Sequence, residues 1–293
     1  MKRRFCFLVN PKAGRGKALR VWTRIEPLLR HTYPDIEYEV HDSDSGLPHL
    51  SRSTVLVAVG GDGTVHRAVQ HAMQSSLTLS VIPAGTGNDF VKTIGIPTDP
   101  VQALHEMMAG CERVVDILRV NDRWTVNAMG IGLDADVVEA VERHRTVKRM
   151  GRLAYAAVLP GVLFRHRRFS LHMLIDGEQV CADDVSLVVV SNGPAFGGGM
   201  RLAPQACVDD GLLDVCVVAG ITKPRLLMLF PSVYRGRHVH LPYVRFFRGQ
   251  SIQMSLPEGC KSAQLDGEWL PSVVNLAVSV QANALRLLTP SHR

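Results

Sequence analysis

The chain has 293 residues, of which 46% are hydrophobic, and its formal net charge is +6. This length can bury a sizeable core, and we expect two domains. We expect neither a secretory signal nor a membrane-spanning helix, because the first apolar run ends at Asn10 and no run reaches about 18 apolar residues. The six cysteines lack metal-ligand spacing, so we expect reduced core thiols in a cytosolic protein.

The first part of the chain alternates between strand-like and helix-like segments. Strands are predicted in RRFCFLVN, DIEYEVH, TVLVAV and LTLSVIPAG, and helices in GKALRVWTRIEPLLR, TVHRAVQHAMQ and DPVQALHEMMAG. Strands that alternate with helices of this length are typical of a parallel sheet. We therefore predict an α/β nucleotide-binding domain over residues 1–120, to which residues 284–293 return.

The second part of the chain is mostly strand-like. Strands are predicted in DRWTVNAMGIG, FSLHMLID, DVSLVVVSNG, LLDVCVVAG, RFFRGQSIQMSLP, SAQLDGEWL and VVNLAVSVQ. Two helical intervals interrupt them, near Ala135–Val147 and Lys223–Tyr234. This pattern predicts an all-β, sandwich-like domain with antiparallel sheets over residues 121–283.

Glycine-rich segments follow three of the predicted parallel strands. They are NPKAGRGKA (Asn10–Ala18), VGGDGT (Val59–Thr64) and PAGTGNDF (Pro83–Phe90). Glycines at such exits let backbone N–H groups approach an anion, and the following helix N-terminus adds partial positive charge. One such loop could be an ordinary turn, but three at one sheet edge predict a phosphate-binding site. Neither GxxxxGK[ST] nor GxGxxG is present in these loops, so the nucleotide is held by another device.

Several carboxylates are candidates for chemistry. Asp266 and Glu268 in LDGEWL would share one face of a regular strand, although Asp-Gly is also a strong hairpin turn. VDDGLLDV (Val208–Val215) has three acids that suit either a metal site or a turn. Asp62 could contact Mg²⁺ through water or fix its loop by accepting backbone N–H bonds. Asp134 could support a cleft or cap the helix that follows it.

Basic residues are concentrated in three clusters, at Arg143–Arg152, Arg165–Arg168 and Arg235–Gly249. Each could meet nucleic acid or anionic lipid, or form an ordinary solvated surface. No known nucleic-acid module accompanies them, so we expect no nucleic-acid partner. The third cluster contains Tyr243, Phe246 and Phe247, and we expect weak peripheral docking to an anionic membrane there.

Six motifs together resemble one known family. In their order and spacing, NPKAGRGKA, GGDGTVHRAV, PAGTGNDF, GIGLDADV, DDGLLDV and LDGEWL resemble the diacylglycerol kinase catalytic family, which includes bacterial lipid kinases and the sphingosine and ceramide kinases. GGDGT alone is shared with NAD kinases, whereas PAGTGNDF and LDGEWL single out the lipid kinases. The resemblance covers nearly the whole chain. It implies an ATP-binding N-terminal α/β domain, a C-terminal β-sandwich and a cleft between them.

The resemblance also implies the site residues. The implied ATP-binding residues are Asn10, Pro11, Lys12, Ala13, Gly14, Gly60, Gly61, Asp62, Gly63, Thr64, Val65, His66 and Thr86. Asp266 and Glu268 become the catalytic pair, one of them taking the proton from the lipid hydroxyl; Asp266 is preferred for this role, although the sequence does not separate the two. A Mg²⁺ ion is implied at the Asp210 carboxylate and the carbonyls of Cys207 and Leu212. The chain departs from the family at His66-Arg67, where Asn-Glu is usual.

We therefore expect an ATP- and Mg²⁺-dependent kinase that phosphorylates the hydroxyl of diacylglycerol or a similar lipid. We expect it in the cytoplasm, peripheral at the inner membrane surface, and a homodimer stays open. Two alternatives remain at this point. One is an NAD kinase-like enzyme that acts on a soluble nucleotide, and the other is a nucleotide or lipid sensor without catalytic turnover.

Overall fold

The computed structural model describes residues 3–11, 16–43, 45, 49–144, 147, 150, 153–257, 259 and 261–291. The chain divides into two compact units. Unit 1 comprises Met1–Val115 and Asn283–Arg293, and unit 2 comprises Asp116–Ala282. No helix among the described residues is long and apolar enough to cross a membrane.

Unit 1 is built around a parallel sheet. Its elements are β1 (Arg4–Val9), α1 (Lys17–Thr32), β2 (Glu37–Asp42), β3 (Thr54–Gly60), α2 (Asp62–Ser75), β4 (Thr78–Pro83), α3 (Asp89–Thr93), α4 (Pro100–Ala109) and the start of β5 (Cys111–Val120). The strand order is β4-β3-β1-β2, with β2 at the edge. The last strand, β15 (Asn275–Thr289), ends in this unit, where Leu287 pairs with Leu79 of β4 in parallel.

The sequence explains this arrangement locally. Every residue of β3 is buried, as expected for a parallel strand that is covered on both faces. Helix α1 buries Val21, Trp22, Ile25 and Leu29, whose spacing places them on one helical face. Phe7 of β1 packs against Trp22, with ring centroids 4.9 Å apart. The core of unit 1 therefore lies between the sheet and its helices.

Unit 2 is dominated by antiparallel strands. After β5 come β6 (Arg123–Thr125), β7 (Ala128–Gly132), α5 (Leu133–Arg143), α6 (Leu153–Arg165), β8 (Phe169–Ile175), β9 (Glu178–Ser191), β10 (Leu213–Ala219), α7 (Lys223–Leu229), β11 (Val244–Gly249), β12 (Ser251–Ser255), β13 (Lys261–Leu265), β14 (Glu268–Val273) and the start of β15. Two 3₁₀ turns, Phe230–Arg235 and Arg237–His240, follow α7. The strand order is β14-β13-β7-β9-β8-β12-β15, and β10 pairs with β9 and β11.

The predicted fold class is confirmed, with differences in detail. The two helical intervals correspond to α5 and to α7 with its 3₁₀ turn, but α6 was not predicted. Its sequence LAYAAVLPGVLFR is apolar around the whole helix and contains Pro160 and Gly161, so the helical periodicity is hidden. The expectation of core cysteines is wrong for Cys111, Cys181 and Cys207, which are exposed.

Candidate active site

The GGDGT segment forms a tight junction between β3 and α2. The backbone N–H groups of Thr64 and Val65 donate to the Gly61 carbonyl at 2.9 and 3.0 Å. A Cβ placed on Gly60 would lie 2.2 Å from Thr64 Oγ1, a distance that no side chain tolerates. The glycine is therefore required for the sharp turn that brings α2 back over the strand end.

The three glycine-rich exits meet within unit 1. A Cβ on Gly85 would lie 2.5 Å from the Cα of Gly61, so the second and third loops touch through bare backbone. Lys17, at the start of α1, donates to the Gly85 carbonyl at 3.3 Å. Asn10 donates from Nδ2 to Thr64 Oγ1 at 3.5 Å. The carboxyl ends of β1, β3 and β4 thus form one continuous edge, as the sequence predicted.

Asp62 joins the second loop to the third. Its carboxylate accepts the backbone N–H groups of Asn88 at 3.0 Å and Asp89 at 3.1 Å. A Cβ on Gly87 would lie 2.5 Å from the same carboxylate, so glycine is needed there for close approach. Two roles were considered for Asp62, and its hydrogen bonds correspond to the second, which is to fix the loop by accepting backbone N–H groups.

The other predicted ATP-binding residues have different degrees of exposure. Asn10, Gly60, Thr64, Val65 and His66 are buried, Pro11, Gly61, Asp62 and Gly63 are half-buried, and Thr86 is exposed. Lys12, Ala13 and Gly14 lie outside the described residues. The departure at His66 falls inside α2, where its side chain is buried.

Asp266 lies in the two-residue turn between β13 and β14, not on a strand. Asp266 and Gly267 both have positive φ, 50° and 88°, as a tight hairpin turn with a right-handed twist requires. The expectation that Asp266 and Glu268 share one strand face is therefore wrong, because the turn separates them. The Asp266 carboxylate accepts three backbone N–H groups, from Val126, Asn127 and Ala128, at 2.9, 2.8 and 3.2 Å.

Glu268 is the first residue of β14 and is exposed. Within the part of the chain that the structure describes, its carboxylate has no hydrogen-bond or ion-pair partner. The two carboxylates of the predicted catalytic pair therefore differ in their hydrogen bonding. Asp266 accepts three backbone N–H groups, whereas the Glu268 carboxylate faces solvent.

A buried polar cluster supports this hairpin, and its glutamine was not recognised in the sequence. Gln264, fully buried on β13, donates to Asp134 Oδ2 at 2.8 Å and accepts from Gly267 N at 2.7 Å. Burial raises the pKa of Asp134 to about 6, although the Gln264 hydrogen bond opposes the shift. No local signal marks Gln264, because an isolated glutamine in an alternating strand resembles any outward-facing polar residue. A Cβ on Gly130 would lie 2.0 Å from the Asp134 carboxylate.

In the VDDGLLDV loop, the carboxylate of the predicted magnesium ligand Asp210 has protein partners on both oxygens. Asp210 Oδ1 accepts the N–H of Leu212 at 3.0 Å, and Oδ2 pairs with Arg248. Arg248 also pairs with Asp214, with Nε 3.1 Å from Oδ1. The Cys207 thiol donates to Asp209 at 3.0 Å. The single guanidinium offsets part of the charge of the two carboxylates and opposes a second cation, so a Mg²⁺ ion at Asp210 would have to displace Arg248.

An apolar surface lies where α6 ends beside α7. Phe164 is 84% exposed and Met228 69% exposed, with Leu227 beside it at 40%. Lys223 Nζ donates to the Phe164 carbonyl at 2.8 Å, which ties the two helices together at this point. In the basic cluster where docking was expected, Tyr243 and Phe247 are partly buried against the cores of unit 2, and Phe246 is 36% exposed.

Comparison with known proteins decides the family. A model described as the diacylglycerol kinase catalytic domain matches residues 4–120. A second, described as the YegS C-terminal NAD kinase beta sandwich-like domain, matches residues 127–289, more than half of the chain. The chain belongs to the diacylglycerol kinase family. It is therefore a lipid kinase. The comparisons favour this activity over the two alternatives, an NAD kinase-like enzyme and a sensor without catalytic turnover.

The relatives of this kinase match three quarters or more of its length. A protein named diacylglycerol kinase from Mycobacterium tuberculosis strain H37Rv is 29% identical over 300 residues, covering 97% of this chain and 94% of the relative. One of the same name from Bacillus subtilis strain 168 is 26% identical, covering 75% and 73%. A diacylglycerol kinase structure from Bacillus anthracis strain Sterne has a TM-score of 0.73 at 23% identity, covering 98% and 97%. The structural likeness supports the same fold.

Proposed function

We propose that this lipid kinase transfers the γ-phosphoryl group of ATP, bound as its Mg²⁺ complex, to the hydroxyl of diacylglycerol or a similar lipid. The observation that carries the proposal is the meeting of three glycine-rich exits at one edge of the unit 1 sheet. Glycines that tolerate no Cβ, beside the N-termini of α1 and α2, suit the close backbone approach of phosphate groups. The names of the relatives support diacylglycerol as the acceptor.

Glu268 is proposed as the general base. A base must be free to receive the hydroxyl proton in the transition state, and the open carboxylate of Glu268 meets that need. Asp266 is proposed as a positioning residue, because its three amide bonds hold the segment Val126–Ala128 and orient the hairpin. Gln264 and Asp134 hold the same hairpin from within unit 2.

We propose that the end of α6 and the helix α7 contact the bilayer surface at which the acceptor lies. Phe164 and Met228 offer apolar side chains for insertion, and Arg165, Lys223 and Arg225 around them suit anionic headgroups. The crevice beneath these helices has an almost wholly apolar lining that includes Leu159 and Leu202. A lining of this kind suits the apolar part of a lipid acceptor.

The test is phosphate transfer from labelled ATP with Mg²⁺ to diacylglycerol in mixed micelles. Transfer by the wild type, with a loss of about 10²-fold or more in kcat for Glu268→Gln, is the expected result. Asp266→Asn should also lose activity, and it should unfold more readily because buried amides lose an acceptor.

The matched control comes from a second hairpin with the same turn. Asp176, Gly177 and Glu178 repeat the DGE tripeptide between β8 and β9, and Asp176 and Gly177 again have positive φ, 49° and 89°. Glu178→Gln should leave kcat unchanged. Full activity of Glu268→Gln would overturn its role as base, and absence of transfer to every lipid tested would overturn the proposed reaction.

A further inference from the structure

Cys6, Glu39 and His41 come together on β1 and the edge strand β2 of unit 1. Cys6 stands directly opposite Glu39 in the parallel register, and His41 lies two residues further along β2. The side chains of Cys6 and Glu39 therefore share one face of the sheet with that of His41. One donor atom from each residue, a thiol sulfur, a carboxylate oxygen and an imidazole nitrogen, lies within 4.8 Å of the other two.

The imidazole of His41 carries an unsatisfied buried atom. Its Nε2 is buried and makes no hydrogen bond, with Glu39 Oε2 lying 3.4 Å away. Two ligand atoms bound to one tetrahedral zinc ion at ordinary N and O distances are separated by about 3.4 Å. The spacing of these two atoms therefore matches two ligands of a shared ion. Buried polar atoms without partners in a native fold commonly mark such an ion or a water molecule.

We propose that Cys6, Glu39 and His41 bind one divalent ion of the zinc class, with water completing a tetrahedral shell. One sulfur, one nitrogen and one oxygen ligand favour Zn²⁺ over Mg²⁺, which prefers oxygen ligands. Cys6 is fully buried, whereas the side chains of Glu39 and His41 are 30% and 27% exposed. The ion can thus enter from the β2 side, and it would fix the edge strand to β1.

The competing explanation is a simple ion pair between His41 and Glu39. Arg4 also contacts this carboxylate, with its guanidinium nitrogen 4.0 Å from Oε2, so Glu39 has a cation nearby without a metal. An ion pair gives the Cys6 thiol no role. Burial, and then the charge of Glu39, raise the pKa of that thiol to about 12. A bound metal ion would displace the proton of the Cys6 thiol and bind the thiolate, whereas an ion pair between His41 and Glu39 would not. Detection of a metal–thiolate bond therefore distinguishes the two explanations.

The test is a cobalt titration of the full chain after removal of bound metals with a chelator. Co²⁺ reports thiolate ligation through a charge-transfer band in the near ultraviolet and tetrahedral geometry through intense visible bands. We expect one equivalent to produce both, Zn²⁺ to displace it, and Zn²⁺ to raise the unfolding midpoint. Cys6→Ser and His41→Ala should abolish the bands. Cys181→Ser, which removes an exposed thiol from β9, should keep them.

A second comparison guards against misfolding of Cys6→Ser. His41 is partly exposed, so His41→Ala should fold and decides the matter if the cysteine variant does not. Arg4→Ala should give the same bands at equal or lower Co²⁺ concentration, because it removes a competing positive charge. A folded wild type without a thiolate band would overturn the proposal. So would bands that survive in His41→Ala.

Discussion

Asp266 and Asp176 have the same local sequence and turn conformation but hold different parts of the fold. Each is the first residue of a DGE hairpin turn, and each accepts backbone N–H groups from a distant segment. Asp176 holds Gln250 and Ser251, whereas Asp266 holds the segment that leads into β7. The tripeptide alone carries no information about which hairpin lies beside the buried Asp134 and Gln264.

Asp134 makes stability depend on pH in a predictable direction. Burial raises its pKa from 3.8 to about 6, so the folded state disfavours the ionised form. Below about pH 3 the carboxyl is largely protonated in both the folded and the unfolded state, so its burial costs little. The penalty develops as pH rises from the unfolded pKa of 3.8 to the folded pKa of about 6, and above that range it reaches about 3 kcal/mol.

We therefore expect Asp134→Asn to raise the free energy of unfolding at about pH 8 and to leave it nearly unchanged at about pH 3. Asparagine keeps an oxygen that accepts the Gln264 hydrogen bond. Urea unfolding at the two pH values measures the difference, with Asp183→Asn, an exposed position on β9, as control. An equal effect at both pH values would show that ionisation of Asp134 is not the cause.

At the level of secondary-structure elements, the proposed phosphate-binding edge of the unit 1 sheet depends on glycine-rich loops whose backbones are in contact. Gly85→Ala would place its Cβ 2.5 Å from the Gly61 Cα, and no rotamer change relieves a contact with backbone. We expect weaker ATP binding and a loss of stability of about 1–3 kcal/mol. Calorimetric ATP titration and urea unfolding measure the two effects.

The matched change is Gly161→Ala in α6, where an added Cβ meets nothing within 4 Å. Alanine is the better helix former by about 1 kcal/mol, so this variant should be as stable as the wild type or more so, with ATP affinity unchanged. If Gly85→Ala binds ATP as the wild type does, the contact between the two loops is not needed for nucleotide binding.

At the scale of the whole molecule, the proposed docking surface predicts a mixed dependence on lipid and salt. The chain carries a net charge of +6, so binding to anionic vesicles should weaken as salt rises. Phe164→Ser with Met228→Ser should weaken binding by about tenfold or more, because a buried side chain of this size contributes roughly 1.5–3 kcal/mol. Vesicle co-sedimentation measures both effects.

Leu174→Ser on β8 is the control, since Leu174 is 42% exposed on a strand outside the surface formed by α6 and α7. It should sediment with vesicles as the wild type does. Equal binding by the double variant and the wild type would place membrane contact elsewhere on the molecule. In the Phe164→Ser, Met228→Ser double variant, kinase activity towards diacylglycerol dispersed in detergent should fall less than activity towards diacylglycerol in vesicles.

Local patterns in the sequence are enough to predict the parallel sheet of unit 1, the antiparallel strands of unit 2 and the meeting of the glycine-rich exits. These features follow from signals close together in the chain: hydrophobic periodicity, strand and helix alternation, and glycines at strand ends. Topology then brings the carboxyl ends of parallel strands to one edge. Such features need no knowledge of distant partners.

Which carboxylates accept hydrogen bonds or form ion pairs becomes visible in the folded chain alone. Arg248 pairs with Asp210, 38 residues away in the sequence, and Gln264 donates to Asp134, 130 residues away. Asp266 accepts backbone N–H groups from a segment about 139 residues away. The exposure of Phe164 in an apolar helix depends likewise on what packs against each face. These outcomes are set by contacts between remote segments, and local patterns of residues do not encode such pairings.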